Sequence, residues 1–200
     1  MARYWTHHWQ NCYWNNEDNP EYQPISAAGS NRFKMRGVQA GDIVYIITII
    51  DGQLYLGGKM LVYQIVSRNQ AVRILNNPYL YQDASDWVIN QVGGSPLNLY
   101  RRLSPEISHQ LSFLSPSSEI KRLFFDSPTH LNRQATRGVR ELTFESASLL
   151  DRIIDLTDQL PRSKKINIVT KEMINEFSPD TFLPEEVPTS SKYREGSTEK

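Results

Sequence analysis

Residues 42–66 read DIVYIITIIDGQLYLGGKMLVYQIV, which is two apolar runs on either side of the pair Asp51-Gly52. Aspartate and glycine tolerate the positive φ angles that a tight hairpin turn requires. The stretch therefore predicts two antiparallel strands, at 42–50 and 53–66. Gly57-Gly58 interrupts the second run, where missing side chains permit a bulge that curls a sheet towards closure. We therefore expect an α+β fold built on a small curled β-barrel.

Short helices and further strands are expected after this hairpin. Ser67 can cap a helix that runs to residue 75, and Ser104-Pro105 supplies a cap and a first-turn proline for a helix that ends near residue 111. Strands at 87–90 and 97–103 predict a second hairpin around Gly93-Gly94, and residues 120–125 form another expected strand. These elements are expected to surround the barrel.

One long amphipathic helix is predicted over residues 143–160. Its apolar side chains fall on one helical stripe, which consists of Leu149, Leu150, Ile153, Ile154 and Leu160. After Pro161 the chain becomes rich in proline, serine and charged residues. We therefore expect one domain over residues 1–160, with the long helix packed across the barrel, and a partly disordered linker or tail over residues 161–200.

Composition limits the possible functions. The 22 lysines and arginines balance the 22 aspartates and glutamates, so any nucleic-acid binding must use local basic patches. Cys12 is the single cysteine, which excludes an internal disulfide and a multi-cysteine zinc site. The N-terminus lacks the apolar core of a signal peptide, and the longest apolar run, at 43–50, is too short to span a bilayer. A soluble, cytoplasmic protein without membrane contact is expected.

Aromatic residues are concentrated at the N-terminus, where Trp5, Trp9 and Trp14 account for three of the four tryptophans. Aromatic faces stack on nucleobases for about 1–3 kcal/mol each, but buried core rings are common too. Both interpretations stay open for each ring. Alternation along a first strand would place Tyr4, Thr6 and His8 on one face and Trp5, His7 and Trp9 on the other, with one face in the core and the other in a pocket.

Two cationic stretches contain no acidic residue. The first, residues 29–37, carries Arg32, Lys34 and Arg36 beside two residues, Ser30 and Asn31, that can hydrogen-bond a base edge. The second, residues 129–140, carries three further arginines, which are Arg133, Arg137 and Arg140. These cations predict contacts to a phosphate backbone on one charged face, although ordinary solvated loops would have the same composition.

Catalytic motifs are missing from the sequence. His7 and His8 are adjacent on a predicted strand and so point to opposite faces, and no later histidine stands at a metal-binding spacing. Ser30, Ser127 and Cys12 have no nucleophile motif around them, and the glycine pairs lack the P-loop lysine and the dinucleotide pattern. We therefore expect no enzyme activity, no metal and no cofactor.

Several of these motifs together resemble a known family. Tyr4-Trp5, then Ser30-Asn31 with its basic loop, then VQAGDIVY at 38–45 are similar to the EVE branch of the PUA-like superfamily. Members of that superfamily are small β-barrels, and several of them bind nucleic acid that carries modified bases. The end of the chain, LPEEVP at 183–188 and SKYREG at 191–196, resembles the linker before an HNH nuclease domain in modification-dependent restriction endonucleases.

The resemblance implies a DNA-binding module that recognises a base flipped out of a duplex, with methylated or hydroxymethylated cytosine expected ahead of modified adenine. The expected partners are double-stranded DNA with modified bases and an HNH nuclease domain in cis or in trans. The residues expected to line the base pocket are Trp5, Trp9, Trp14, Ser30, Asn31 and Phe33. Two alternatives stay open: a protein interaction module without nucleic-acid binding, and an RNA-binding PUA-like domain.

Overall fold

The computed structural model describes residues 2–14, 23–90, 94–159 and 168–176. Gly93, Leu160 and the linker motifs at 183–188 and 191–196 lie outside these ranges. The strands are β1 (Tyr4–His8), β2 (Ala27–Ser30), β3 (Ile43–Ile50), β4 (Gln53–Ser67), β5 (Asp86–Asn90), β6 (Arg102–Leu103), β7 (Ser112–Leu114), β8 (Ile120–Arg122), β9 (Phe125–Ser127), β10 (His130–Leu131) and β11 (Val139–Leu142). The helices are α1 (Asn11–Trp14), α2 (Phe33–Arg36), α3 (Arg68–Leu75), α4 (Pro105–Gln110), α5 (Phe144–Asp158) and α6 (Lys171–Glu176).

The predicted central hairpin is confirmed. β3 and β4 pair antiparallel, and the turn residues Asp51 and Gly52 have φ angles of 48° and 71°. Two consecutive positive φ angles match the twist of the flanking strands, which is why an aspartate–glycine pair is suited to this turn. The expected bulge is also present, because Ile46 pairs with Gly58 and Ile47 with Leu56, so that Gly57 has no partner across the ladder.

Among the described residues, nine strands form one mixed sheet. Its order is β2-β5-β4-β3-β1-β11-β7-β8, and β6 pairs with β4 beside this path. No described pairing joins β2 to β8, so the sheet is open and the expected closed barrel is not formed in this part of the chain. The 15-residue β4 passes from β3 to β5 through irregular registers at Gly57 and Tyr63, which bends the sheet and does not close it.

The open sheet is nevertheless strongly curled. β1 and β2 are four steps apart in the strand order, which would separate them by about 19 Å in a flat sheet. Yet His7 on β1 and Gly29 on β2 line the same cavity, and the Gly29 backbone is near enough to the His7 ring to affect its pKa. The curl therefore brings strands that are distant in the sheet onto opposite sides of one concave space.

Both faces of the sheet are covered. Alternate residues of β3 enter two cores: Tyr45 and Ile47 pack in a helical core with α5, whereas Val44 and Ile46 pack in a strand core inside the curl. This double burial explains why residues 43–50 are apolar at every position except Thr48. The predicted long helix is confirmed as α5, with the Thr143 side chain accepting the capping hydrogen bond from the Ser146 backbone.

The prediction of a second hairpin is wrong. β5 pairs with β2 on one side and β4 on the other, which leaves no edge for a returning strand. Of residues 97–103 only Arg102–Leu103 is a strand. The Asn98 carboxamide accepts a hydrogen bond from the Tyr100 backbone at 3.0 Å, a local turn that competes with strand pairing.

Two other boundaries differ from expectation. The strand predicted at 120–125 is divided, because β8 pairs with β7 whereas β9 pairs with β10. Residues 168–176 lie in the stretch expected to be linker and tail, but Val169 and Ile174 are buried in the helical core and α6 is formed there. The folded part of the chain therefore includes residues beyond 160.

Candidate functional site

A cavity of about 500 Å³ lies inside the curl of the sheet. Its walls come from the end of β1, from β2 and the turn after it, from Trp87 on β5, from the loop between α3 and β5, and from the turn before β11. The volume falls within the range of about 300–1,000 Å³ that is typical of small-molecule sites. The residues that line it are His7, His8, Trp9, Gln10, Ala27, Ala28, Gly29, Ser30, Asn31, Arg32, Tyr81, Asp83, Ala84, Trp87, Arg137 and Gly138.

Three aromatic side chains contribute to the wall: Trp9, Tyr81 and Trp87. The Trp87 indole is 6% exposed and lies directly against Gly29, where an added Cβ would stand 2.7 Å from the ring. Glycine at this position is therefore a steric requirement for the position of Trp87. The small residues of β2 let the indole form one side of the space.

His7 is a buried, uncharged histidine in the cavity wall. Burial, together with the neighbouring His8, lowers the pKa of His7 to about 4. The Gly29 backbone has a smaller effect in the opposite direction and raises this pKa. Burial and then Arg137 also lower the pKa of His8, whose Nδ1 lies 2.9 Å from the Thr136 hydroxyl. Near neutral pH His7 is therefore uncharged, and its Nδ1 is buried away from solvent.

Two buried polar atoms in this wall lack a partner. Among the described residues, neither Nδ1 of His7 nor Nε1 of Trp87 makes a hydrogen bond. Leaving a buried polar group unsatisfied costs about 1–3 kcal/mol, so such atoms are uncommon in folded proteins. Both of them belong to side chains that line the same cavity.

Ser30 and Asn31 line the cavity, and both make internal contacts. The Asn31 carboxamide oxygen accepts a hydrogen bond from the Ser85 backbone at 2.6 Å, and the Ser30 hydroxyl accepts one from the Arg32 backbone at 3.2 Å. Asn31 thereby joins the turn after β2 to the loop that carries Tyr81 and Asp83. These contacts position the rim of the cavity.

Two of the predicted backbone-binding cations, Arg32 and Arg137, reach the cavity. Both are exposed, and the Arg32 side chain lies beside Gly138 while Arg137 donates to the Gln134 side chain at 3.3 Å. The curl thus brings together the two cationic stretches that are about a hundred residues apart in sequence. Asp83 adds one acidic group to the lining.

The other four predicted cations differ in their environments. Lys34 is 3.5 Å from Asp86, which offsets its charge, whereas Arg36 and Arg133 are exposed. Arg140 is partly buried: it lies 4.0 Å over the Phe113 ring and donates to the Ala135 carbonyl. Burial, with Arg36 nearby, lowers the pKa of Arg140. Packing against Phe113 makes Arg140 a structural residue as much as a surface cation.

Three of the expected pocket residues are in the core and do not line the cavity. The Trp5 indole is 2% exposed and donates to Asp42 at 2.8 Å, and the Trp14 indole is 1% exposed and donates to the Leu99 carbonyl at 2.9 Å. Phe33 is fully buried against the His7 ring, with ring centroids 5.0 Å apart. Because both faces of β1 are covered, the expected division into a core face and a pocket face does not hold.

Tyr81 and Trp87 are wall residues that the sequence did not predict, and His7 was considered only as a member of one strand face. Trp87 was assigned only to a strand, and its nearness to Gly29 depends on the pairing of β5 with β2. The run of small residues at 27–30 is the signal that could have suggested a large side chain packed on that strand.

No group of three or more histidine, cysteine, aspartate or glutamate residues that could hold a metal ion occurs in the described ranges. Within the same ranges, every helix is too short or too polar to cross a membrane. Compared with family models, with curated proteins and with solved structures, the chain matches none.

Proposed function

We propose that this chain binds DNA and recognises a modified base, methylated or hydroxymethylated cytosine, that is flipped out of the duplex into the cavity. The observation that carries the proposal is the cavity itself: aromatic side chains, neutral polar groups and the acidic Asp83 line it, and the exposed cations Arg32 and Arg137 are also lining residues. A base can be inspected in a pocket only after extrusion, which costs a few kcal/mol of stacking and pairing. Stacking on aromatic side chains recovers part of that cost.

The charge distribution supports binding of a nucleic-acid strand. The protein has no net charge, yet Arg32, Arg36, Arg133 and Arg137 are all exposed, and two of them belong to the cavity. Guanidinium groups bind phosphate oxygens, and such contacts position a strand without reading its sequence. The interior of the cavity would then supply the selectivity.

The same proposal includes a fold family for the module and a biological role for it. The curled sheet, the resemblance of residues 38–45 and the linker-like end of the chain support a PUA-like module of the EVE type that acts in the cytoplasm as the specificity subunit or domain of a modification-dependent restriction system. The module has no catalytic role of its own in this proposal, and an HNH nuclease domain in cis or in trans would cut the DNA.

RNA binding is a second candidate, because the same cavity and cations would accept a base of a single strand. Competition by single-stranded RNA against a modified duplex distinguishes the two. The protein interaction alternative would use the aromatic N-terminus as a partner-binding patch and the long helix as an assembly surface. Two of the three N-terminal tryptophans, Trp5 and Trp14, are buried and so do not support such a patch.

The first test uses Arg137→Gln, with Arg122→Gln on β8 as the matched control. Both arginines are exposed, but β8 lies at the opposite end of the strand order from β2. Fluorescence anisotropy with plain and 5-methylcytosine duplexes should show that Arg137→Gln weakens binding to both several-fold and reduces the slope of log K against log salt by about 1. Arg122→Gln should bind as the unsubstituted protein does. Equal salt slopes for all three proteins would contradict a phosphate contact at Arg137.

A further inference from the structure

A histidine and two arginines stand around one glycine in the cavity wall. The backbone N–H of His8 donates to the Gly138 carbonyl at 3.1 Å, which fixes the end of β1 beside the turn before β11. Arg137 precedes Gly138 in that turn, and Nη1 of Arg32 would be 3.4 Å from a Cβ added to Gly138. All four residues line the cavity. The curl of the sheet therefore brings His8, Arg32 and Arg137 to one corner of it.

The protein itself does not neutralise the two arginines at this corner. Both are exposed, and the ion pairs formed by the described residues include neither Arg32 nor Arg137. Asp83, the acidic residue of the described lining, accepts a hydrogen bond from the Tyr81 hydroxyl at 2.9 Å instead. Two guanidinium groups without a carboxylate partner favour an anion at this corner.

The His8 ring adds a third donor, and its contact with Thr136 indicates which nitrogen carries the hydrogen. Thr136 is fully buried, and within the described ranges its hydroxyl has Nδ1 of His8, at 2.9 Å, as its only partner. A buried hydroxyl hydrogen needs an acceptor, so the hydroxyl donates, Nδ1 accepts, and Nε2 of the neutral ring carries the hydrogen. Nε2 makes no hydrogen bond to a described residue and is not one of the buried unpartnered atoms, so it is accessible and can donate to a ligand.

We propose that His8, Arg32 and Arg137 form one phosphate site, which binds a phosphodiester group of the flipped nucleotide itself. This inference rests on the proposed function and names the unit that the cavity takes: one nucleotide, with its base against the aromatic wall and its own phosphate beside Gly138. Guanidinium and imidazole N–H groups donate to phosphate oxygens, and hydrogen bonds to a charged acceptor are roughly twice as strong as those between neutral groups.

The test removes the charge of single phosphates in the DNA. Three duplexes with one central 5-methylcytosine carry a neutral methylphosphonate link on its 5′ side, on its 3′ side, or at a distant position. One of the two adjacent links should weaken binding of the unsubstituted chain about tenfold relative to the distant link. Arg32→Gln and Arg137→Gln should each lose most of this sensitivity, because the group that met the charge is gone. Arg122→Gln, the control on β8, should keep it.

The role of His8 is tested by two substitutions. His8→Gln keeps an N–H donor near the end of the side chain, whereas His8→Phe keeps a ring and has no donor. His8→Phe should reduce the sensitivity to the adjacent methylphosphonate several-fold, and His8→Gln should retain most of it. Equal behaviour of the two variants would show that the ring only packs at this corner, and would remove His8 from the site.

A mononucleotide separates this inference from the proposed function. Calorimetric titrations compare 5-methyldeoxycytidine with its 5′- and 3′-monophosphates. If the duplex binds but neither adjacent methylphosphonate matters more than the distant one, the phosphate site is overturned and DNA recognition stands. If no duplex binds but one monophosphate binds about tenfold tighter than the nucleoside, the phosphate site is supported and DNA recognition is overturned. If no duplex binds and the monophosphates show no such advantage, both proposals fail.

Discussion

At the scale of single residues, the site depends on His7 being an uncharged group in a buried position. Its pKa of about 4 results from burial and from the adjacent His8, and only the Gly29 backbone contact opposes this. The cost of this arrangement is a buried ring with one unsatisfied nitrogen. Binding sites often have such groups, because residues that serve a function are not optimised for the stability of the fold.

The depressed pKa predicts a specific dependence of stability on pH. An unfolded histidine titrates near 6.5, so between pH 6.5 and 4 the unfolded chain binds a proton that folded His7 does not. The contribution of His7 is complete above pH 6.5 and is lost as the pH falls towards 4, by on the order of 3 kcal/mol. Urea unfolding of the unsubstituted chain and of His7→Phe at several pH values measures this. Parallel curves for the two proteins would show that His7 does not titrate abnormally.

At the scale of elements, the β3–β4 hairpin determines the curl, and its turn is sensitive to side chains. Gly52 and Gly41 both have positive φ angles, 71° and 88°, but their surroundings differ. A Cβ at Gly52 would collide with the His130 ring on β10, whereas a Cβ at Gly41 would meet nothing within 4 Å. The turn is further fixed by the Gly52 carbonyl, which accepts from the Leu131 backbone at 2.8 Å.

This pair of glycines gives a matched test of the turn. Gly41→Ala should cost about 1–2 kcal/mol of unfolding free energy from backbone strain alone. Gly52→Ala should cost more, because the exposed His130 ring must also leave its position. Chemical denaturation of the two variants measures the difference, and equal losses would mean that the contact with β10 adds nothing to the hairpin.

At the scale of the whole molecule, polar contacts hold α5 against the sheet. The Arg101 guanidinium is fully buried and donates to the Thr157 hydroxyl at 2.6 Å, the Leu56 carbonyl at 3.2 Å and Asp158 at 2.7 Å. On the same helix, Asp151 accepts from Lys59 at 2.8 Å. These bonds hold α5 against the face of the sheet opposite to the strand core.

The local features of this architecture could be predicted from the sequence, but the site could be predicted only in part. The hairpin with its bulge, the helix capped by Ser67 and the long helix α5 were confirmed. Each of them depends on residues that are close together in sequence, such as the turn pair Asp51-Gly52. The cavity depends instead on the meeting of β1 with β2 across three intervening strands. Alternation could not reveal that both faces of β1 are covered, and so it placed the buried Trp5 in the pocket.

The most direct test of the account is a photo-crosslink from the base itself. A duplex with a single 5-iodocytosine is irradiated in complex with the protein, and mass spectrometry locates the attached residue. If a flipped base occupies the cavity, the attached residue should be one that lines it, above all Trp87, Trp9 or His7. Attachment only to residues outside the cavity, such as the 92% exposed Tyr79, would contradict the account.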